Sequence, residues 1–352
     1  MSKFHKLSIK DITKETEQSV SISFHIPDHL KSDFAFKAGQ YITLKATING
    51  EEVRRDYSIC TSPNSGELKV GVKAVEGGTF SVYANTVLKV GDELEVATPN
   101  GRFVFEPNNA YTRTVAAFAA GSGITPILGI AKTLLEEEPF SNFVLVYGNK
   151  SMKDTMFFDE LMALKNTYGN RFHAHFIYSQ SKEQDALFGR IEKSTVNLIV
   201  KNKYKDVTID RFYICGPEQM IHTVKEVLVE NGVKEGRIFF ELFTSPVENT
   251  STENTATADG NSNITVIVDD ESFDFEMSKE QSILEAALKE DIDAPYSCQG
   301  GICSSCIARI TEGEATMRQN NILTDGEVAD GLILTCQAHP TTDKIVVDYD
   351  DV

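Results

Sequence analysis

At 352 residues, with 41% hydrophobic and 24% charged side chains, the chain is a globular protein too long for one ordinary core, so two or three domains are expected. A net charge of −18 argues against partners that are nucleic acids or anionic membranes. The opening MSKFHKLSIKDITKE lacks the apolar stretch of a signal peptide, and no apolar run reaches the length of a membrane span. A cytoplasmic protein is the expectation, and there clustered cysteines point to metal or catalysis rather than to disulfides.

Residues 1–108 read as short β-type runs separated by turn residues: HKLSIKDI, SVSISFHI, QYITLKATI followed by NGEE, RRDYSIC, LKVGVKAV and DELEVAT. Such spacing, with no long helical period, predicts an antiparallel β-barrel or sandwich. Two motifs stand out within it. RRDYSICT has the form R-x-Y-S-x-x-T through Arg55, Tyr57, Ser58 and Thr61. An aromatic face beside a bidentate cation suits a flat ring with a diphosphate tail. Farther on, VEGGTFS presents Gly77, Gly78, Thr79 and Ser81. Taken singly, the first motif reads rather as an ordinary strand end and the second as a turn.

Residues 109–245 change to alternating strands and helices. TVAAFAA precedes a helix from Pro126, FVLVYG precedes one from Asp154, and FHAHFIYS leads on to RFYICG and a last helix from about Pro217. This order predicts a parallel α/β sheet with its ligand at the carboxyl ends of the strands. The loop AAGSGITP is G-x-G-x-x-P. Gly121 and Gly123 allow close backbone approach, and Thr125 and Pro126 are placed as N-cap and N1 of the helix, whose free N–H groups suit a pyrophosphate. YICGPEQM puts Cys215, Gly216, Pro217 and Met220 at the end of a later strand. His173 and His175 read as ordinary strand residues.

Residues 246–262 are polar, rich in Thr and Asn and without periodic apolar positions, which predicts a flexible tether. Residues 263–352 begin with two strands around a turn, NITVIVDDESFDFEM, followed by a short helix in SILEAALKED with a capping box between Ser282 and Glu285. This segment holds 19 Asp/Glu against 5 Lys/Arg, a net of −14, whereas residues 1–262 carry −4. The loop YSCQGGICSSC then supplies Cys298, Cys303 and Cys306, and Cys336 follows in LTCQ. C-x4-C-x2-C plus a distant cysteine is the plant-type 2Fe–2S spacing. Gly300 and Gly301 let the main chain curl against a cluster without a Cβ in the way. Zinc is the rival, but its usual pair of C-x2-C knuckles is only half present.

Together these motifs resemble the ferredoxin–NADP reductase superfamily with a C-terminal ferredoxin domain, and within it the oxygenase reductases such as that of phenylacetyl-CoA epoxidase. The resemblance covers nearly the whole chain. It implies three modules: an antiparallel flavin-binding β-barrel, a parallel α/β nicotinamide-binding domain and a β-grasp 2Fe–2S domain. It also implies that Tyr57 packs on the isoalloxazine, Ser58 lies near flavin N5, Arg55 pairs with phosphate, and residues 77–81 cradle the FAD pyrophosphate. Cys215 would sit beside the site of hydride transfer. Electrons would pass from NAD(P)H to FAD, to the cluster and on to a di-iron oxygenase, with the acidic end docking on that partner. NADPH is favoured over NADH through Lys182 and Arg190, although Gln180 stands where related NADPH enzymes often carry Arg. The alternatives are a Rieske, steroid or alkane hydroxylase reductase, possibly with FMN, and a non-enzymatic redox carrier or sensor.

Overall fold

The alternating segments of the first hundred residues become six strands in a computed structural model that describes residues 3–243 and 260–352. These are β1 (Phe4–Thr16), β2 (Ser19–His25), β3 (Tyr41–Ile48), β4 (Glu51–Ser58), β5 (Leu68–Lys73) and β6 (Glu93–Ala97). They hydrogen-bond in the order β4-β3-β6-β1-β2-β5. An antiparallel bridge from Ile59, just past β4, to Val70 of β5 brings the two ends of this sheet together, so the flavin motif lies along the seam of a barrel. Leu7, Ile22, Ile42, Leu44, Val70, Val72 and Val96 fill its interior. A helix that the β-pattern does not announce, α1 (Thr79–Thr86), follows the Gly77–Gly78 turn and buries Phe80 and Ala84 against that core.

The next segment forms a six-stranded parallel sheet. Its strands are β7 (Thr114–Ala120), β8 (Asn142–Asn149), β9 (Phe172–Tyr178), β10 (Leu187–Phe188), β11 (Ile209–Gly216) and β12 (Ile238–Leu242), in the order β10-β9-β8-β7-β11-β12. The connecting helices are α2 (Ile124–Glu137), α3 (Phe158–Tyr168), α4 (Lys193–Asn197) and α5 (Glu218–Glu230). The strand order reverses between β7 and β11, and such a switch point opens a crevice at the strand ends. Two helix starts differ from expectation. Helix α2 is preceded by a 3-10 turn over Gly121–Gly123 and begins at Ile124, so Thr125 and Pro126 lie inside its first turn rather than at N-cap and N1. Thr125 Oγ1 donates to Ser122 O at 3.0 Å instead of capping an N–H. Residues 152–154 form a separate 3-10 turn, and α3 starts four residues later than Asp154.

Barrel and parallel sheet belong to one compact unit, Phe4–Val53 with Tyr57–Phe243. Glycines set the closeness of their packing. A Cβ on Gly129 of α2 would meet Ile59 O at 2.9 Å and Thr61 O at 3.1 Å, and one on Gly71 of β5 would meet Thr125 at 2.7 Å. Lys132 of α2 donates to Cys60 O at 3.1 Å, pinning the end of the flavin motif to the helix.

The ferredoxin-like segment belongs to the second unit. Its strands are β13 (Asn261–Val268), β14 (Glu271–Ser278), β15 (Ile307–Glu312), β16 (Ala315–Met317), β17 (Leu332–Leu334), β18 (Ala338–Pro340) and β19 (Lys344–Asp348). A mixed sheet β14-β13-β19-β15-β17, with β13 and β19 parallel, packs against α6 (Ile283–Lys289) in the β-grasp manner. Helix α7 (Asp325–Ala329) precedes β17. Strand β13 begins at Asn261, two residues inside the expected tether; residues 246–259 of that tether lie outside the described residues. Ser282 caps α6 by accepting from Glu285 N at 3.2 Å, but the Glu285 carboxylate faces Gln281 and Lys289, so only half of the expected box forms. The complete capping box is at Thr324 and Glu327 of α7.

Candidate functional site

Residues from four places in the sequence meet at the switch point. The loop after β7 runs over Gly121, whose φ of +55° is one that side-chain-bearing residues rarely adopt, and its carbonyl accepts from Tyr147 Oη at 2.9 Å. A Cβ on Gly123 would overlap the Cys215 carbonyl, and one on Gly216 would lie 2.7 Å from Met220 Cε and 3.1 Å from Ala120 N. Gly123 and Gly216 therefore let the ends of β7 and β11 approach each other. Pro217 is the N-cap of α5, and Met220 is buried behind it. Neither α2 nor α5 has a side-chain cap; in α2 the Ile124 N–H is already bonded to Gly121 O and Ser122 O and Pro126 has none, so α5 is the helix whose first turn is open to an anionic ligand.

Ser58, at the end of β4, is buried, and its hydroxyl donates to Glu241 Oε2 at 3.3 Å. Glu241 stands opposite Cys215 in the parallel pairing of β12 with β11. The structure thus adds to Ser58 and Cys215 a carboxylate that sequence reading does not find. Its signal is only tertiary, since ELF at the end of β12 resembles no motif. Burial, and then the Glu241 charge, push the Cys215 thiol well above its ordinary pKa, so it is a neutral S–H and not a thiolate.

The other residues of the flavin motif have local duties. The Tyr57 ring lies 5.6 Å from that of Phe80 at a 39° tilt. Arg55 is half-buried and its Nη1 donates to Arg54 O at 2.7 Å. Thr61 is buried, and its hydroxyl donates to Glu67 O at 2.6 Å, closing the turn after the motif. Gly77 has φ +73° and Gly78 is the N-cap of α1, with Thr79 as its first residue. Ser81 Oγ accepts from Val75 N at 3.2 Å, holding that turn against the helix start. Lys73, at the end of β5, brings its ammonium to the Gly121 loop, with burial drawing its pKa down. Lys182 and Arg190 are exposed beyond β9, Lys182 over the Phe188 ring at 5.3 Å, and Gln180 is exposed.

The four cysteines of the second unit form two pairs. Cys298 is electrostatically coupled to Cys303, and Cys306 to Cys336. Within the pairs the neighbouring thiol draws Cys298 down to about 6 and Cys336 down as well, while Cys303 and Cys306 are raised. Gly300 N donates to Cys298 Sγ at 3.3 Å, with N–H groups of Ile302 and Cys303 also directed there. Gly301, at φ +69°, has no room for a Cβ, which would sit 3.0 Å from Gln319 O and Gln337 Cγ. The distant thiol is brought in by Thr335, whose N and Oγ1 both donate to Cys306 O, at 3.1 and 3.0 Å, while Tyr349 Oη donates to Thr335 Oγ1 at 2.8 Å.

Two thiol pairs fit two irons held by two thiolates each. A structural zinc usually takes two C-x2-C knuckles, and only Cys303–Cys306 has that spacing. His173 and His175 stay on β9, where His175 Nε2 lies 2.8 Å from Tyr204 Oη, far in sequence from the cysteines. No helix is long and apolar enough to cross a membrane among the described residues.

Family models match three stretches: an oxidoreductase FAD-binding domain over residues 6–105, an oxidoreductase NAD-binding domain over 118–226, and a 2Fe-2S iron-sulfur cluster binding domain over 266–341. The chain is 38% identical over 352 residues to one of the subunits of 1,2-phenylacetyl-CoA epoxidase from Escherichia coli (strain K12), covering 99% of both chains. It is 31% identical to the ferredoxin reductase component of 3-ketosteroid-9-alpha-monooxygenase from Rhodococcus rhodochrous, over 97% of this chain and 96% of that one. Among solved structures, phthalate dioxygenase reductase superposes with a TM-score of 0.59 at 24% identity over 98% of both chains, a likeness of fold. FAD, a nicotinamide and a 2Fe–2S cluster are accordingly its cofactors. The chain belongs to the oxygenase reductases of the ferredoxin–NADP reductase type that carry their own 2Fe–2S ferredoxin domain.

Proposed function

We propose that this oxidoreductase feeds electrons from NADPH to a di-iron oxygenase of the phenylacetyl-CoA epoxidase kind, with residues 1–108, 109–245 and 263–352 as its flavin, nicotinamide and cluster modules. When bound, FAD supplies the change from a two-electron hydride to single electrons, and the 2Fe–2S cluster relays them one at a time. The chain's own residues then bind, orient and shield. The first turn of α5 and the loop before α2, with Gly121, Gly123, Thr125, Pro126, Gly216 and Pro217, receive the nicotinamide's phosphates and sugar, and Lys73 adds a positive charge beside them. Cys215 and Met220 wall the nicotinamide pocket as buried, uncharged side chains. Arg55, Gly77, Gly78, Thr79 and Ser81 hold the flavin's diphosphate, Tyr57 offers its ring to the isoalloxazine, and Thr61 keeps the strand end in place.

Ser58 and Glu241 form a hydroxyl–carboxylate pair at the hydride pocket, where Ser58 places a hydrogen bond and Glu241 fixes its direction. Cys298, Cys303, Cys306 and Cys336 hold the irons, and the surrounding backbone N–H groups stabilise negative charge on the sulfurs. The acidic ferredoxin domain docks on a basic face of the oxygenase. Lys182 and Arg190 supply the cations for a 2′-phosphate.

The observation that carries this reading is the arrangement of four thiols as two pairs in a chain that also contains the hydride pocket. The test combines purified protein, NADPH, phenylacetyl-CoA and the catalytic subunits of the epoxidase. Oxygen-dependent epoxide formation that needs this chain, with NADPH outperforming NADH and turnover falling as salt rises, is expected. Turnover without this chain, or insensitivity to salt, would contradict the reading.

A further inference from the structure

Three lysines in five residues, KNKYK over 201–205, stand in a chain of net charge −18, and the electron-transfer scheme gives them no part. The backbone there is unusual as well. Residues 198–203 form one π-helical turn, closed by Tyr204 N donating to Ile199 O at 2.9 Å, and such turns are rare and frequent at functional sites. The turn sets the Tyr204 ring against β9, with centroids 6.0 Å from His173 and 5.8 Å from His175. Lys203 Nζ lies 3.2 Å from His175 Nδ1, and His175 Nε2 lies 2.8 Å from Tyr204 Oη. The protons along this row have one direction. An ammonium only donates, so Nδ1 accepts and the ring carries its hydrogen on Nε2. Nε2–H then donates to Tyr204 Oη, and the phenol's own O–H has no acceptor among the described residues. Burial, then Lys203, His173 and Lys165, keep the imidazole uncharged at neutral pH, as this row requires. Each bond polarises the next, so the Tyr204 hydroxyl is a stronger donor than a lone phenol. Lys165, Lys201, Lys203 and Lys205 are exposed and without an ion pair among the described residues, and Asp206 is the one acid within 201–207. His173 stands about 16 Å before the carboxyl end of β9, so this patch is separate from the dinucleotide pocket.

We propose that Tyr204 and its flanking lysines form a second anion site that takes a phosphate group, with Tyr204 O–H giving a directed hydrogen bond and Lys201, Lys203 and Lys205 the charge. A phosphate dianion suits this set better than a carboxylate, because it brings two charges and three acceptor oxygens to one hydroxyl and several ammoniums. A free phosphate and a phosphate ester present the same oxygens. Lysines that merely keep a sheet edge from pairing would bind no ligand stoichiometrically. No bond is made or broken, and His175 keeps its proton. The inference does not depend on which oxygenase the chain serves.

The test is equilibrium dialysis of radiolabelled inorganic phosphate against the holoprotein at fixed ionic strength, with saturating NADP+ filling the dinucleotide pocket. One saturable phosphate per chain is expected. Tyr204→Phe, which keeps the ring and removes the hydroxyl, should weaken binding about five- to tenfold, and Lys203→Ala about tenfold. Lys89→Ala, at an exposed lysine of the barrel, should change it less than about twofold. Flavin bleaching by NADPH, unchanged in every variant, certifies the fold. With isotope-labelled histidine, phosphate should move the His175 ring signals of the wild-type protein, assigned by their loss in His175→Gln, and leave them in place in Tyr204→Phe. Displacement by AMP would support an ester as the ligand, and phosphate binding without displacement by AMP the free ion. Absence of saturable binding, an equal loss in Lys89→Ala, undiminished binding in Tyr204→Phe, or displacement by equimolar acetate would overturn the proposal.

Discussion

The cysteine loop and the proposed hydride pocket assemble their residues in opposite ways. Three of the four thiols come from nine consecutive residues, and the fourth is hooked on by Thr335 and Tyr349. The hydride pocket instead draws Ser58 from the barrel, Gly123 and Cys215 from either side of the switch point, and Glu241 from the edge strand. A local site depends on loop geometry and donor type, whereas a convergent one depends on how closely backbones pack. The first should fail through its ligands and the second through its spacing.

Removing a ligand breaks that comparison most sharply. Cys336→Ala should abolish the cluster, seen as loss of iron, sulfide and visible absorption, while NADPH still bleaches the flavin at a near-normal rate; joint loss of both activities would deny the independence of the two sites. In the hydride pocket, Ser58→Ala should slow flavin reduction about 10²-fold through loss of a preorganised hydrogen bond, and Glu241→Gln should do so by a smaller factor, with the cluster spectrum intact. Stopped-flow absorbance at saturating NADPH separates these outcomes.

Spacing is probed by adding one carbon. Gly123→Ala places a methyl group against the Cys215 carbonyl, with Gly216 N at 2.8 Å, and should cost about 1–3 kcal/mol and weaken nicotinamide binding. Gly236→Ala, with nothing within 4 Å, is the neutral control, read by thermal melting and NADPH titration. The smallest effect is one of pH. Burial, then Lys203, His173 and Lys165, hold the His175 pKa down to about 4 from an ordinary 6.5. Lys203 Nζ lies 3.2 Å from Nδ1, so the ring stays neutral when folded but takes a proton when unfolded. The contribution of His175 to stability should therefore be flat above pH 6.5, fall as pH drops toward 4 and then level off. His175→Gln should flatten that decline in melting curves.

Module order, strand positions and the presence of a 2Fe–2S domain are legible in the sequence because they rest on short-range signals: period-two alternation, the β–α rhythm and cysteine spacing. Helix α1 is not, because the Gly-Gly turn before it reads only as a phosphate loop. The start of α2 is displaced because Thr-Pro is a strong N-cap signal, yet a 3-10 turn over two glycines begins the helical path earlier. The box at Ser282 forms by half because Glu285 faces Lys289 and Gln281 instead of turning back. Glu241 and the Thr335–Tyr349 clasp carry no local signature, since their meaning exists only once β12 lies beside β11 and Thr335 reaches Cys306.

Anaerobic titration of the as-isolated protein with NADPH, followed by visible absorbance and EPR alongside metal and sulfide analysis, tests the central claim most directly. The account predicts equal iron and sulfide, bleaching of both chromophores, and a reduced-state signal of a 2Fe–2S centre that the Cys336→Ala protein lacks. Zinc in place of iron, or a bleached flavin with no such signal, would contradict it.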